Sequence, residues 1–200
     1  MAADRRLVLF DFDGTLTTKD TLFEFARFVV GEPRFFVGLA ALSLPMVMQR
    51  VKLLSAQLTK EVFIRHFFRN MPVEVFSKHC ARFATERIPG IVRPQALEAI
   101  AKYRSAGDRM IVVSASPKDW IQPWAATLGM EVIATNLVVE NGMLTGKIDG
   151  KNCNGPEKVL RIKKHVRLED YPTVIAYGDT GGDLPMLAIA NEKNFKPFRD

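Results

Sequence analysis

The sequence predicts an α/β fold, a doubly wound parallel sheet with an inserted helical unit. Three observations predict it. Apolar runs stop at polar or glycine-bearing turns: Leu7–Phe10, Met110–Val113 and Thr173–Tyr177. Helical patterns lie between them, notably at 94–106 and 156–166. Residues 18–89 carry no such strand punctuation. Short continuous apolar runs suit parallel strands buried on both faces. Strands alternating with helices need crossovers that cover both sides of the sheet.

The first strand, 5–10, runs into Asp11 and Asp13, then Gly14 and Thr15. Open α/β sheets bind ligands at the carboxyl ends of their strands. Two carboxylates two residues apart at such an end repel each other and need hydration or a counter-charge. A divalent cation resolves that conflict and leaves one carboxylate able to attack. Further strands read at 110–114, 131–134, 173–177 and 194–198. Between Asn136 and Ile148, apolar segments flank Asn141-Gly142, a pair suited to a tight hairpin turn. A small β-ribbon standing off the sheet is expected there.

Residues 18–89 read as helical, with Phe23 and Phe28, and Phe76, Cys80 and Phe83, at helix-compatible offsets. The chain returns to the core through Ile88-Pro89-Gly90. The expected division is a core of residues 1–17 and 90–200 and a helical cap of 18–89. The cap holds eleven Lys and Arg against six Asp and Glu, so most of the chain's net charge of +6 lies over the expected site face.

Two hundred residues, 48% of them apolar, suit one domain or a core with one insert. The two cysteines, Cys80 and Cys153, make neither a metal-ligand spacing nor a disulfide framework. They read as buried thiols, which fits a reducing compartment. The opening residues, MAADRRLVLF, hold no signal-peptide apolar region, so a cytoplasmic location is expected. The positive charge suits anionic substrates or an anionic membrane surface. No aromatic-basic module occurs, which argues against nucleic acid.

Four motifs in order resemble those of the haloacid dehalogenase-like (HAD) superfamily. They are Asp11-Phe12-Asp13-Gly14-Thr15-Leu16, Ser114 after an apolar strand, Lys158 opening a helical pattern, and Gly178-Asp179-Thr180-Gly181-Gly182-Asp183 after another strand. The resemblance covers Leu7 to about Phe198 and is nearest to the phosphoserine-phosphatase-like branch, which carries a helical cap and a ribbon in these places. It implies a Rossmann-like core with the first strand at its centre. Asp11 is then the nucleophile and Asp13 the general acid/base. The second Asp of the motif favours phosphate-ester hydrolysis over dehalogenation. Ser114 and the Ala115 N–H would bind phosphate oxygens, and Lys158 would pair Asp11 with the transferring group. The cofactor implied is Mg²⁺, held by Asp11, the Asp13 carbonyl and Asp179, with Asp183 behind them or acting through water.

Four positions depart from phosphoserine phosphatases. Ala115 and Ser116 replace a Gly-Gly pair, and Gly182 replaces an Asn. Asp20 stands where those enzymes carry a Glu that reads the substrate amine; it reads here as a helix cap or a shorter-armed equivalent. His66, His79 and His165 match no motif. The function expected is Mg²⁺-dependent hydrolysis of a small phosphorylated metabolite through an aspartyl-phosphate. One alternative is a lipid-phosphate phosphatase, phosphatidylglycerophosphatase-like, peripheral to the inner face of the membrane. Another is a non-catalytic phospho-ligand binding protein.

One cap segment stands apart. Phe35 to Gln49 runs fifteen residues without a charge, between Arg34 and Arg50. It is short of the ~20 residues a span needs, and Pro45 interrupts it. Two readings remain: a buried pair of cap helices, or an interfacial segment flanked by basic residues.

Overall fold

The computed structural model describes residues 5–51 and 53–199. The core residues expected at 1–4 and 200, and Lys52 of the cap, lie outside the described residues. Six strands form one sheet in the order β4-β3-β2-β1-β5-β6: β1 Leu7–Phe10, β2 Arg109–Pro117, β3 Glu131–Glu140, β4 Met143–Asp149, β5 Val174–Gly178 and β6 Glu192–Phe195. All neighbours pair in parallel except β3 and β4. The chain builds outward from β1 to β2 and β3, then crosses to β5 and β6 on its other side. That reversal leaves a crevice at the carboxyl end of β1, the place where such sheets bind ligands.

The strands are buried on both faces, as their unbroken apolar runs require. Val8 and Phe10 join one core cluster with Met110, Val112, Ile175 and Tyr177. Leu7 and Leu9 join the other with Ile111, Val113, Val174 and Ala176. Helices α6 Pro94–Ser105 and α7 Lys118–Thr127 cover the first face. Helices α8 Pro156–His165 and α9 Leu184–Ala188 cover the second. All four side chains of β1 are fully buried, and burial of one such side chain stabilises by roughly 1.5–3 kcal/mol.

Among the described residues, five helices lie between β1 and α6: α1 Thr21–Val30, α2 Glu32–Ala41, α3 Ser43–Arg50, α4 Ala56–Phe68 and α5 Val73–Glu86. Phe25 of α1 is fully buried among Phe68, Phe76, Phe83 and Trp120, with ring centres 4.5–5.5 Å away. Trp120 belongs to α7, so one aromatic cluster runs from the inserted helices into the sheet's own layer. Such pairs add ≈ 0.5–1.5 kcal/mol each beyond their burial.

Several sequence expectations are corrected. The first strand starts at Leu7 rather than residue 5. The second extends to Pro117, with a register shift after Ser114. The last strand lies at Glu192–Phe195 rather than 194–198. The ribbon is as expected: Glu131–Thr135 of β3 pair with β2, and only Asn136–Glu140 beyond them pair with β4, so the hairpin projects past the parallel sheet. It is tied to the turn between α4 and α5 by Asn70 N–H to Leu144 O (2.9 Å), Val73 N–H to Gly142 O (2.9 Å) and Leu144 N–H to Met71 O (3.0 Å). These pairings join residues some seventy positions apart, so no local pattern announces them.

The uncharged segment divides at Leu42 into α2 and α3, with Pro45 in the first turn of α3, where its missing N–H is not needed. The helix pair forms but is mostly not buried. Phe35, Gly38 and Leu42 face inward, while Phe36, Val37, Leu44 and Val47 are 58–72% exposed. No helix among the described residues is long and apolar enough to cross a membrane.

Candidate active site

Asp11 is the first residue beyond β1, and its N–H is held by Tyr177 O at 2.9 Å. The next turn, Phe12–Leu16, is irregular, because Gly14 takes φ +83°. A Cβ there would be strained and would sit 2.5 Å from Asp179 Oδ2, so glycine lets the first and fourth motifs close on each other. Thr15 sends its hydroxyl back to Asp11 Oδ2 at 2.8 Å.

The two carboxylates of the first turn have different partners. Asp11 is buried and its Oδ1 accepts from Lys158 Nζ at 2.6 Å. Asp13 leans toward the inserted helices. Its Oδ1 accepts from Thr21 N–H (2.7 Å) and hydroxyl (2.6 Å), and its Oδ2 from Ser114 Oγ at 3.3 Å. Lys158, in the first turn of α8, is itself fully buried. It also donates to Asp183 Oδ1 at 2.6 Å and Val113 O at 2.8 Å, using all three of its donors. Asp183 in turn collects the N–H groups of Asp179 and Thr180 and the Thr180 hydroxyl at 2.9–3.1 Å. Asp179 is held less closely, by Arg199 at 2.9 Å.

Charge in this closed space is out of balance. Burial pushes the Asp11 carboxyl up to about 7, against the pull of Lys158 and with the help of Asp183. Burial and then Asp183 also raise Asp179. Burial would lower Lys158, but Asp11 and Asp183 outweigh it and raise its pKa. Asp183 goes the other way: Lys158 overcomes the cost of burial and holds it below the ordinary carboxylate value. Lys158 thus serves two of these carboxylates, Asp11 and Asp183, and Arg199 serves the third, Asp179. Asp11, Asp179 and Asp183 each offer an oxygen, all within 4.8 Å of one another. Hard oxygen donors with surplus negative charge suit a hard divalent cation. The Asp13 carboxylate is not in that group.

Asp11, Asp13, Asp20, Ala115, Lys158 and Asp183 line one cavity of about 190 Å³. Ser114 lies behind its wall, fully buried, with Ser116 N–H on its oxygen at 2.9 Å. Asp20 caps α1, accepting from Leu22 N–H at 2.9 Å, and faces the cavity as well. Burial and the nearby Asp13 push it up to about 6. Chemically, the arrangement pairs a lysine-held carboxylate with a second carboxylate able to pass a proton.

Among the lining residues that sequence reasoning did not assign are Lys60 and Asn154. Lys60 reaches in from α4 and donates to Ala115 O (2.9 Å) and Asn152 Oδ1 (3.1 Å), and burial lowers its pKa. Its partners lie 55 and 92 residues away, so nothing local marks it. Asn154 precedes α8 and packs on Gly182; a Cβ at 182 would strike its side-chain oxygen. The glycine that the sequence reads as a lost polar contact therefore makes room for another amide. That exchange had a signal, an unused Asn four residues before Lys158, but only proximity shows its meaning.

The family model for haloacid dehalogenase-like hydrolases matches residues 8–188. Protein CicA of Caulobacter vibrioides is 36% identical over 201 residues, spanning 100% of this chain and 89% of that protein. A phosphoserine phosphatase of Methanocaldococcus jannaschii is 27% identical over 201 residues, covering 96% and 86%. A solved phosphoserine phosphatase, a phospho-aspartyl intermediate analogue, superposes with TM-score 0.61 at 26% identity, covering 95% of this chain and 85% of that one. With the four motifs gathered at one strand-end crevice, the chain belongs to the haloacid dehalogenase-like hydrolases, on their phosphoserine-phosphatase-like branch, and is an enzyme of the phosphatase type.

Proposed function

We propose that this enzyme hydrolyses a small phosphorylated metabolite through an aspartyl-phosphate on Asp11 and depends on Mg²⁺. The observation that carries the reading is the buried Asp11, one oxygen on Lys158 and the cavity before it. In the first step an Asp11 oxygen bonds to phosphorus as the ester P–O bond breaks, and Asp13 gives its proton to the departing oxygen. In the second, Asp13 takes a proton from water, the water oxygen bonds to phosphorus, and the bond to Asp11 breaks, releasing phosphate. Ser114 turns its hydroxyl from Asp13 to a phosphate oxygen, the Ala115 N–H supplies a second donor, and Lys158 offsets charge on Asp11 and the phosphoryl group. Mg²⁺ would be held by Asp11, the Asp13 carbonyl and Asp179, with Asp183 bracing Lys158 and the fourth-motif loop. Bound there, it neutralises the carboxylates and polarises the phosphoryl oxygens. The phospho-aspartyl structure of a relative supports the same order of events.

Turnover of p-nitrophenyl phosphate tests this. It should vanish in excess EDTA and return with Mg²⁺, and Ca²⁺, which prefers looser and higher coordination, should inhibit. Full activity in EDTA would overturn the metal assignment.

A second reading is favoured by the exposed apolar face of α2 and α3, flanked by Arg34 and Arg50: a lipid-phosphate phosphatase that rests on an anionic membrane surface. Both readings place the enzyme in the cytoplasm, the second at the inner face of the membrane. Sedimentation with anionic liposomes at low salt separates them; no binding leaves the first.

A further inference from the structure

The phosphate cavity continues past Lys60 into an outer chamber of about 240 Å³. The two share Asp20, Leu22, Lys60, Ala115 and Asn154, so they form one continuous space. The inner part is walled by Asp11, Asp13, Lys158 and Asp183. The outer part is walled by Phe23 and Phe63, whose rings meet edge-on at 5.2 Å between centres, with Met46 of α3 and Ala56, and on its polar side by Gln49, Thr59 and Asn152. Its one lining cation among the described residues, Lys60, has already given two of its three N–H groups to Ala115 O and Asn152 Oδ1. Asp20 sits at the junction as an anion. The Asn154 amide, at the same junction, makes no side-chain hydrogen bond among the described residues.

We propose, resting on the phosphomonoesterase reading, that this outer chamber holds the leaving group and selects an alcohol with an apolar body and no carboxylate. A serine leaving group would bring an ammonium that Asp20 can meet, but also a carboxylate beside Asp20 with only the last N–H of Lys60 and the Asn154 amide to meet it, and a buried charge without a full counter-charge is costly. Its few atoms would also leave Phe23, Met46 and Phe63 without contacts, and dispersion forfeited across a gap is not regained. An alkyl leaving group fills that wall, and Asn154 meets the oxygen nearest the ester.

The test is kcat/KM for butyl phosphate, phosphoserine and acetyl phosphate, whose leaving group is too short to reach the apolar wall. Butyl phosphate should exceed phosphoserine by roughly tenfold or more. Met46→Asp should lower the ratio of butyl to acetyl phosphate by roughly tenfold. Met46 is half-buried, so the variant should fold; a thermal melt checks this, and Met46→Gln gives the same sign of change if it does not. Phosphoserine as the best substrate, or an unchanged ratio in the variant, overturns the inference while hydrolysis itself stands. No phosphate released from any of the three overturns the phosphatase reading, and this inference with it.

Discussion

The two ends of the pocket are built by different means. At the inner end, functional groups hang from the ends of β1, β2 and β5 and from the first turn of α8. They hold one another through Lys158, which touches Asp11, Asp183 and Val113 at once. At the outer end, α1, α3 and α4 lend most of the lining side chains, and the helix that carries Met46 buries none of its residues fully. Sheet register positions the first set, so a change there is felt by every member. Helix packing positions the second, so it can vary without disturbing the chemistry. Reaction type and substrate choice are thereby carried by separable parts of the chain.

The comparison breaks most visibly at Asp11. Asp11→Asn removes the proposed nucleophile and metal ligand together, and kcat on p-nitrophenyl phosphate should fall by roughly 10⁴ or more. Near-wild-type turnover would end the account of the inner end. Next comes Lys158→Ala, which strands two buried carboxylates. Breaking a buried pair costs about 3–5 kcal/mol, to be read from urea unfolding of the metal-free protein. A loss under about 1 kcal/mol would mean the three carboxylates are hydrated rather than mutually dependent.

On the helical side, Phe25→Ala should cost about 3–5 kcal/mol through its cavity, while Val37→Ser stays within about 0.5 kcal/mol. The same urea series measures both. Equal losses would show that α2 is packed as firmly as α1. The smallest effect lies far from the pocket. The Arg109 guanidinium, outweighing burial and helped by His165, holds the Glu131 carboxyl at about 2. A depressed folded pKa contributes stability that is present above the unfolded value of about 4.3 and is lost as pH falls through about 2. Glu131→Gln should flatten that acid limb, by a modest amount because the group is well exposed.

The inner end was legible in the sequence because Asp11, Asp13, Ser114 and Asp179 follow apolar runs at strand termini. Ser114, Lys158 and Asp183 could be assigned only through the order of the four motifs that the chain resembles. The parallel sheet and the turn at Asn141-Gly142 were legible for the same local reasons. The direction Asp13 faces was not, because it depends on Thr21 and Ser114, eight and 101 residues away. Lys60 and Asn154 were missed because their partners come from other elements. The exposure of α2 and α3 was undecidable from pattern, since an uncharged run reads alike whether neighbours cover it or not. The docking of the ribbon on the cap rests on backbone hydrogen bonds, which side-chain patterns do not encode.

The central claim is that Asp11 carries the phosphoryl group, and rapid acid quench of the Mg²⁺-loaded enzyme during turnover, followed by peptide mass spectrometry, tests it most directly. The account predicts a phosphoryl adduct on the peptide containing Asp11, absent from Asp11→Asn and accumulating in Asp13→Asn, where release is slowed. An adduct on another residue, or active turnover with none detectable in Asp13→Asn, would contradict it.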